Sequence, residues 1–151
     1  MEITMKKGVL AAFLLLALAL GGIFAFHADQ AYAKTTDNTG FTFSMGADKT
    51  AATSGRDKND SSSVFVKISS ITNPCRMYVD GKKSKTKGTW TNCTVNGYAK
   101  AKSTGKWRIK NTVHESGYGF ARLTGWANKG ASVVKGAWSP DSLGSYTAIN
   151  A

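Results

Sequence analysis

The sequence predicts an all-β protein, an antiparallel β-sandwich of about seven to nine short strands behind an N-terminal export segment. Three observations predict it. No helical period appears after residue 33. Short runs of β-branched and aromatic residues are separated instead by Gly, Asn, Asp and Ser. Only 17 of the 118 residues from Lys34 onward are Leu, Ile, Val or Phe, a poverty that raises the question of disorder. The same stretch holds 12 aromatic residues, four of them Trp, and large rings let a small core form from few side chains.

The elements follow in chain order. Lys6 and Lys7 precede an uncharged apolar run at 8–26, and Ala31-Tyr32-Ala33 supplies small residues at a cleavage point. This is the pattern of a secretory signal peptide, 1–33, cut after Ala33 to leave one secreted β domain, 34–151. An uncleaved anchor is the alternative, because nineteen apolar residues just span a bilayer. Met5 is an alternative start. Phe41, Phe43 and Met45 alternate with Thr42 and Ser44 as a first strand, and 46–63 reads as a long polar loop. Val64, Val66 and Ile68 alternate next. Further strands are predicted at 76–79, 89–95, 98–102, 107–113, 118–124, 132–138 and 146–150.

The middle of the chain invites a closer register. Cys75 and Cys93 flank a polar turn at 81–88, and a hairpin centred on Ser84 sets Cys75 opposite Cys93 and Tyr78 opposite Trp90. In an exported chain this predicts a Cys75–Cys93 disulfide, stabilising by about 3 kcal/mol; two buried free thiols are the alternative. The spacing is not C-x-x-C and no histidine is near in sequence, so no metal site and no cofactor are expected. Asn96-Gly97 and Ser103-Thr104-Gly105 read as hairpin turns, making 89–113 a meander. About the second turn Lys102 faces Lys106, Lys100 faces Arg108 and Tyr98 faces Lys110. Ala99, Ala101, Trp107 and Ile109 fall on the core side.

The candidate binding residues are therefore Lys82, Lys83, Lys85, Lys87, Lys100, Lys102, Lys106, Arg108 and Lys110, with no acidic residue between the first and the last. Like charges opposed across strands are destabilising, which favours a cationic platform for an anionic partner. A solvated lysine face that protects sheet edges is the competing reading. The full chain carries a formal charge of +11. The expected partner is an anionic cell-wall polymer or membrane surface, with nucleic acid less expected. The expected function is a secreted, cationic, non-enzymatic protein that binds an anionic component of the cell envelope, released or retained there. A bacteriocin-like antimicrobial protein and a small secreted hydrolase or inhibitor are the alternatives. His114-Glu115-Ser116 is not H-E-x-x-H and no G-x-S-x-G occurs, so no enzyme is expected. Trp138-Ser139-Pro140-Asp141-Ser142 reads as a strand ending on a buried Trp and closed by a Pro-Asp turn; a recognition loop is its alternative.

The segments Asn111-Thr112-Val113-His114-Glu115-Ser116-Gly117-Tyr118 and Gly136-Ala137-Trp138-Ser139-Pro140-Asp141-Ser142, with the export signal and the all-β remainder, resemble uncharacterised small secreted proteins of Gram-positive bacteria. More remotely, size, export and fold class resemble the lactococcin-type secreted bacteriocins. That second likeness implies a small β-sandwich and brings no active site onto particular residues.

Overall fold

The computed structural model describes residues 35–150. The predicted export segment and its predicted cleavage point lie outside the described residues. Within them the protein is all-β, with ten strands in two antiparallel sheets and no helix. The strands are β1 (Thr39–Met45), β2 (Thr50–Ala52), β3 (Arg56–Asp57), β4 (Val64–Ile71) and β5 (Cys75–Lys82), then β6 (Thr91–Asn92), β7 (Ala99–Ala101), β8 (Gly105–Ile109), β9 (Phe120–Trp126) and β10 (Ser132–Ser139). The first sheet has the order β1-β10-β4-β8. The second has the order β2-β9-β5-β6, with β3 also paired to β9 and β7 also paired to β5.

Period-two alternation explains the layering. Phe41, Phe43 and Met45 of β1, Val64, Val66 and Ile68 of β4, and Val134 and Trp138 of β10 are buried on the inner face of the first sheet. Cys75, Met77 and Val79 of β5 and Ala121 and Leu123 of β9 answer them from the second sheet, in one shared core. The sheets approach closely where β1 crosses β9. A Cβ at Gly125 would lie 2.8 Å from the Phe43 ring and 2.9 Å from Met45 Sδ, so this position has no room for a side chain.

The stretch 46–63 departs from the expected loop. β2 and β3 form within it because the outer edge of β9 offers unpaired backbone: Thr50, Ala51 and Ala52 pair with Trp126, Gly125 and Thr124. The stretch also carries a fully buried cation. Lys58 Nζ donates to Asp141 Oδ1 at 2.6 Å and to the carbonyls of Asp60 and Ser62, both at 2.7 Å. Asp141 Oδ2 accepts the backbone N–H of Thr35 at 2.8 Å and of Asn59 at 3.2 Å. Trp138 and Asp141 are both buried, so this segment is core rather than a displayed recognition loop. The predicted strand at 146–150 is instead a strap between sheets. Arg108 N–H donates to Thr147 O, Ile149 N–H to Arg108 O, and Lys100 N–H to Ile149 O, joining β8 of one sheet to β7 of the other.

The predicted meander is corrected. β6 and β7 do not pair with each other; both run antiparallel along one edge of β5. Asp80 faces Asn92 while Met77 faces Ala99, and Cys93 N–H donates to Val79 O at 2.9 Å. The chain between Cys93 and Tyr98 leaves the ladder and returns to it. Asn96 and Gly97, with φ of 62° and 84°, turn that excursion instead of a hairpin. Ser103-Thr104-Gly105 likewise carries the chain from the second sheet to the first, so β7 and β8 never face one another.

The predicted disulfide falls with that register. Cys75 faces Ala101, and Cys93 sits beside Val79, four residues further along β5. Four residues of strand span about 13 Å, against a Cα separation of at most about 7 Å for a bridge. Both cysteines are buried free thiols. Burial pushes the Cys75 thiol up to about 11 from an ordinary 9.0, against a smaller downward pull from the Ser132 hydroxyl. Burial also raises Cys93, partly opposed by the Gly81 backbone and reinforced by the Asp80 carboxylate. A thiolate is the reactive form, so both side chains should react slowly in the folded protein and fully in denaturant. Thiol titration with and without denaturant checks this; an unchanged zero count after unfolding would restore the bridge. Since the folded thiol holds its proton to higher pH than the unfolded one, stability should fall as pH rises through the interval from 9.0 to about 11.

Candidate anion-binding site

Alternation also sets the outer face of the second sheet. With Cys75, Met77 and Val79 inward, β5 turns Arg76, Tyr78, Asp80 and Lys82 outward. Arg76 faces Trp126 of β9 on one side and Lys100 of β7 on the other. Next to them, Asp80 faces Arg122. The register therefore lines up cations and aromatic rings.

Two clusters result. At the Lys82 end, Arg122 Nε donates to Asp80 Oδ2 at 3.0 Å and Thr124 Oγ1 donates to the same oxygen at 2.7 Å. Trp90 lies over this pair, with Arg122 Cζ 4.7 Å and Lys82 Nζ 5.4 Å from its ring centroid. Its indole continues to Gly55, where an added Cβ would sit 2.6 Å from the ring. This end is closed: Arg122 is paired with Asp80, and Lys82, against the Trp90 ring, is 9% exposed.

The Cys75 end is open. Arg76 Cζ stands 4.1 Å from the Tyr98 ring and 5.1 Å from that of Trp126, so two aromatic faces hold the guanidinium. Lys100 Nζ lies 5.9 Å from the centroid of the same tyrosine ring. Beside them is a cavity of about 440 Å³ whose lining includes Arg76, Tyr98, Lys100, Lys102 and Lys129, with Asn73 and Asn128 as neutral polar groups. No Asp or Glu lines it. Cation–π contacts fix Arg76 without neutralising it, so the cavity keeps a positive potential. Such a concavity is large enough for one or two charged repeat units of a polymer. It offers charge-assisted hydrogen bonds, with a planar Arg fork suited to phosphate or carboxylate.

The candidate cations of the sequence do not gather on one surface. Lys100 and Lys102 belong to this cavity. Lys82 is covered by Trp90, while Lys83, Lys85 and Lys87 are exposed in the loop after β5. That loop starts at the far end of the strand from the cavity, about 23 Å along it. Lys106 and Arg108 are on β8, facing Lys67 and Phe65 of β4, on the outer face of the other sheet. Lys110 is half-buried beside Asn150, whose Oδ1 accepts its backbone N–H at 2.8 Å. Sequence reasoning missed Arg76, Tyr98 and Lys129. Arg76 stood in a predicted strand, but nothing local marked its neighbours, which come from β7 and from the turn after β9.

A comparison with curated proteins and with solved structures finds no match. The chain belongs to the family described as "Protein of unknown function (DUF2712)", whose model matches residues 29–142, a span that includes all ten strands.

Proposed function

We propose that the protein is an exported, non-enzymatic module that binds an anionic component of the cell envelope in the Arg76–Lys100–Lys102–Lys129 cavity. The observation that supports this is the convergence of four cations and Tyr98 around one concavity with no carboxylate in its lining. A structural role alone gives no reason for it. Stability would be served by an Asp or Glu among those charges, as Asp80 serves Arg122 in the neighbouring cluster.

Lys102, Lys129 and Lys100 are exposed, so the attraction is solvent-screened and reaches outward over about a Debye length. Binding should be multipoint and strongly salt-dependent. Pull-down on purified cell-wall material tests this. The bound fraction should fall steeply as salt rises from about 0.05 to about 0.5 M, because the Debye length contracts several-fold over that range. Retention that ignores salt, or no retention at the lower concentration, contradicts the proposal.

A further inference from the structure

A second cavity, of about 250 Å³, is lined by Ser61, Ser62, Ser63, Ser142 and Gly144 together with Arg108. It is built independently of the first. Its walls are the loop after β3 and the turn after β10, and Arg108 comes from β8, in the same sheet as β10. Arg108 is anchored by its backbone, which exchanges hydrogen bonds with Thr147 and Ile149. Its side chain has no such support. Nε is buried with no hydrogen-bond partner, and among the described residues the guanidinium forms no ion pair. A buried donor without an acceptor is unfavourable and rare enough to need a reason.

The cavity supplies one. We infer that Arg108 and the serines around it form a site for a phosphate group. A planar guanidinium carries two parallel N–H donors that match two oxygens of a tetrahedral oxyanion. Turning the flexible stem brings its Nε edge to such a ligand and gives the orphaned proton an acceptor. The serines are neutral donors that add hydrogen bonds without competing charge. Ser62 Oγ accepts the Ser142 N–H at 3.0 Å, which ties the two walls together and leaves the Ser62 hydroxyl proton for the ligand. The nearby Asp60 carboxylate is engaged by Lys58 at 3.5 Å. The small volume selects a single phosphate, free or as a monoester, over a polymer segment.

The test is a heteronuclear NMR titration of the ¹⁵N-labelled protein with inorganic phosphate and, separately, with glycerol 3-phosphate. A saturable shift of the Arg108 Nε–H resonance and of the Ser62, Ser63 and Ser142 amides is expected. Arg108→Gln should weaken phosphate at least tenfold, and Arg108→Lys, which keeps charge but lacks the fork, should also weaken it. Ser63→Ala, a change at a half-buried loop position, should weaken it several-fold and covers the case in which the Arg108 variants fail to fold. Tighter binding of glycerol 3-phosphate assigns the site to a phosphate ester, and tighter binding of inorganic phosphate assigns it to the free ion. Shifts confined to Arg76, Lys100 and Lys129, or shifts at Ser62 and Ser63 that persist unchanged in the variants, overturn the inference. Because Lys100→Glu/Lys102→Glu/Lys129→Glu leaves Arg108 in place, retained phosphate shifts in that triple variant separate this site from the larger cavity.

Discussion

Asp141→Ala is expected to destabilise the protein by about 3–5 kcal/mol, the range for breaking a buried ion pair by removing one partner. The Asp141 carboxylate and the Lys58 side chain are both 0% exposed and meet at 2.6 Å. Deleting the carboxylate leaves a buried ammonium with the Asp60 and Ser62 carbonyls and a longer, 3.5 Å contact to the Asp60 carboxylate. It also removes the acceptor that Asp141 Oδ2 provides to the Thr35 and Asn59 N–H groups. The entry of the chain into β1, the loop after β3 and the end of β10 lose their common anchor together. In urea the midpoint should fall by at least about 1 M, given slopes of about 1–3 kcal/mol per M for small domains. The paired change Lys58→Met with Asp141→Leu should recover part of that loss, since the uncompensated ammonium is removed while the Thr35 and Asn59 N–H groups still lack the Asp141 acceptor. A loss below about 1 kcal/mol for Asp141→Ala would show that the pair is not the anchor described.

Reversing the cavity charge should have the largest effect on binding. Lys100→Glu, Lys102→Glu and Lys129→Glu together exchange three attractions for three repulsions. At about 1 kcal/mol for each contact-distance pair in water, that is a loss of at least a hundredfold in affinity for an anionic polymer. The three side chains are exposed, so each change should alter stability by no more than about 0.5 kcal/mol. A matched control is available on the other sheet. Lys67, Lys106 and Lys135 are exposed on its outer face, and reversing them changes the net charge equally. That control should keep affinity within about tenfold if position rather than net charge matters. Equal losses in the two triple variants would indicate a diffuse field with no site.

The alternating strands were legible because burial on one face imposes a period of two. Phe41, Phe43 and Met45, and Val64, Val66 and Ile68, are buried as the alternation requires. Pairing was not legible in the same way. A turn such as Asn96-Gly97 has the same residues and positive φ whether it joins two paired strands or bends one edge away from its partner. Only the ladder of β5, which takes β6 and β7 in succession, distinguishes the two. The Cys75–Cys93 bridge rested on a hairpin centred on Ser84, whose ladder instead sets Asp80 opposite Asn92, and the lysine ladder rested on a hairpin at Ser103-Thr104-Gly105, which instead crosses between the sheets. Lys58 was hidden for a different reason. Its partner Asp141 lies 83 residues away, so a buried cation in the stretch 46–63 carries no local mark. In the cavity, Lys100 and Lys102 were legible as charge. Arg76 and Lys129 join them only through the pairing of β5 with β7 and the position of the turn after β9.

The most direct measurement is an amide-shift map of the ¹⁵N-labelled protein titrated with a soluble phosphodiester polymer, poly(glycerol phosphate), at low salt. The shifts should centre on Arg76, Tyr98, Lys100, Lys102 and Lys129 and disappear in the Lys100→Glu/Lys102→Glu/Lys129→Glu variant. Shifts centred on Lys67, Lys106 and Lys135, or on the loop bearing Lys83, Lys85 and Lys87, would contradict the assignment of the binding site to this cavity.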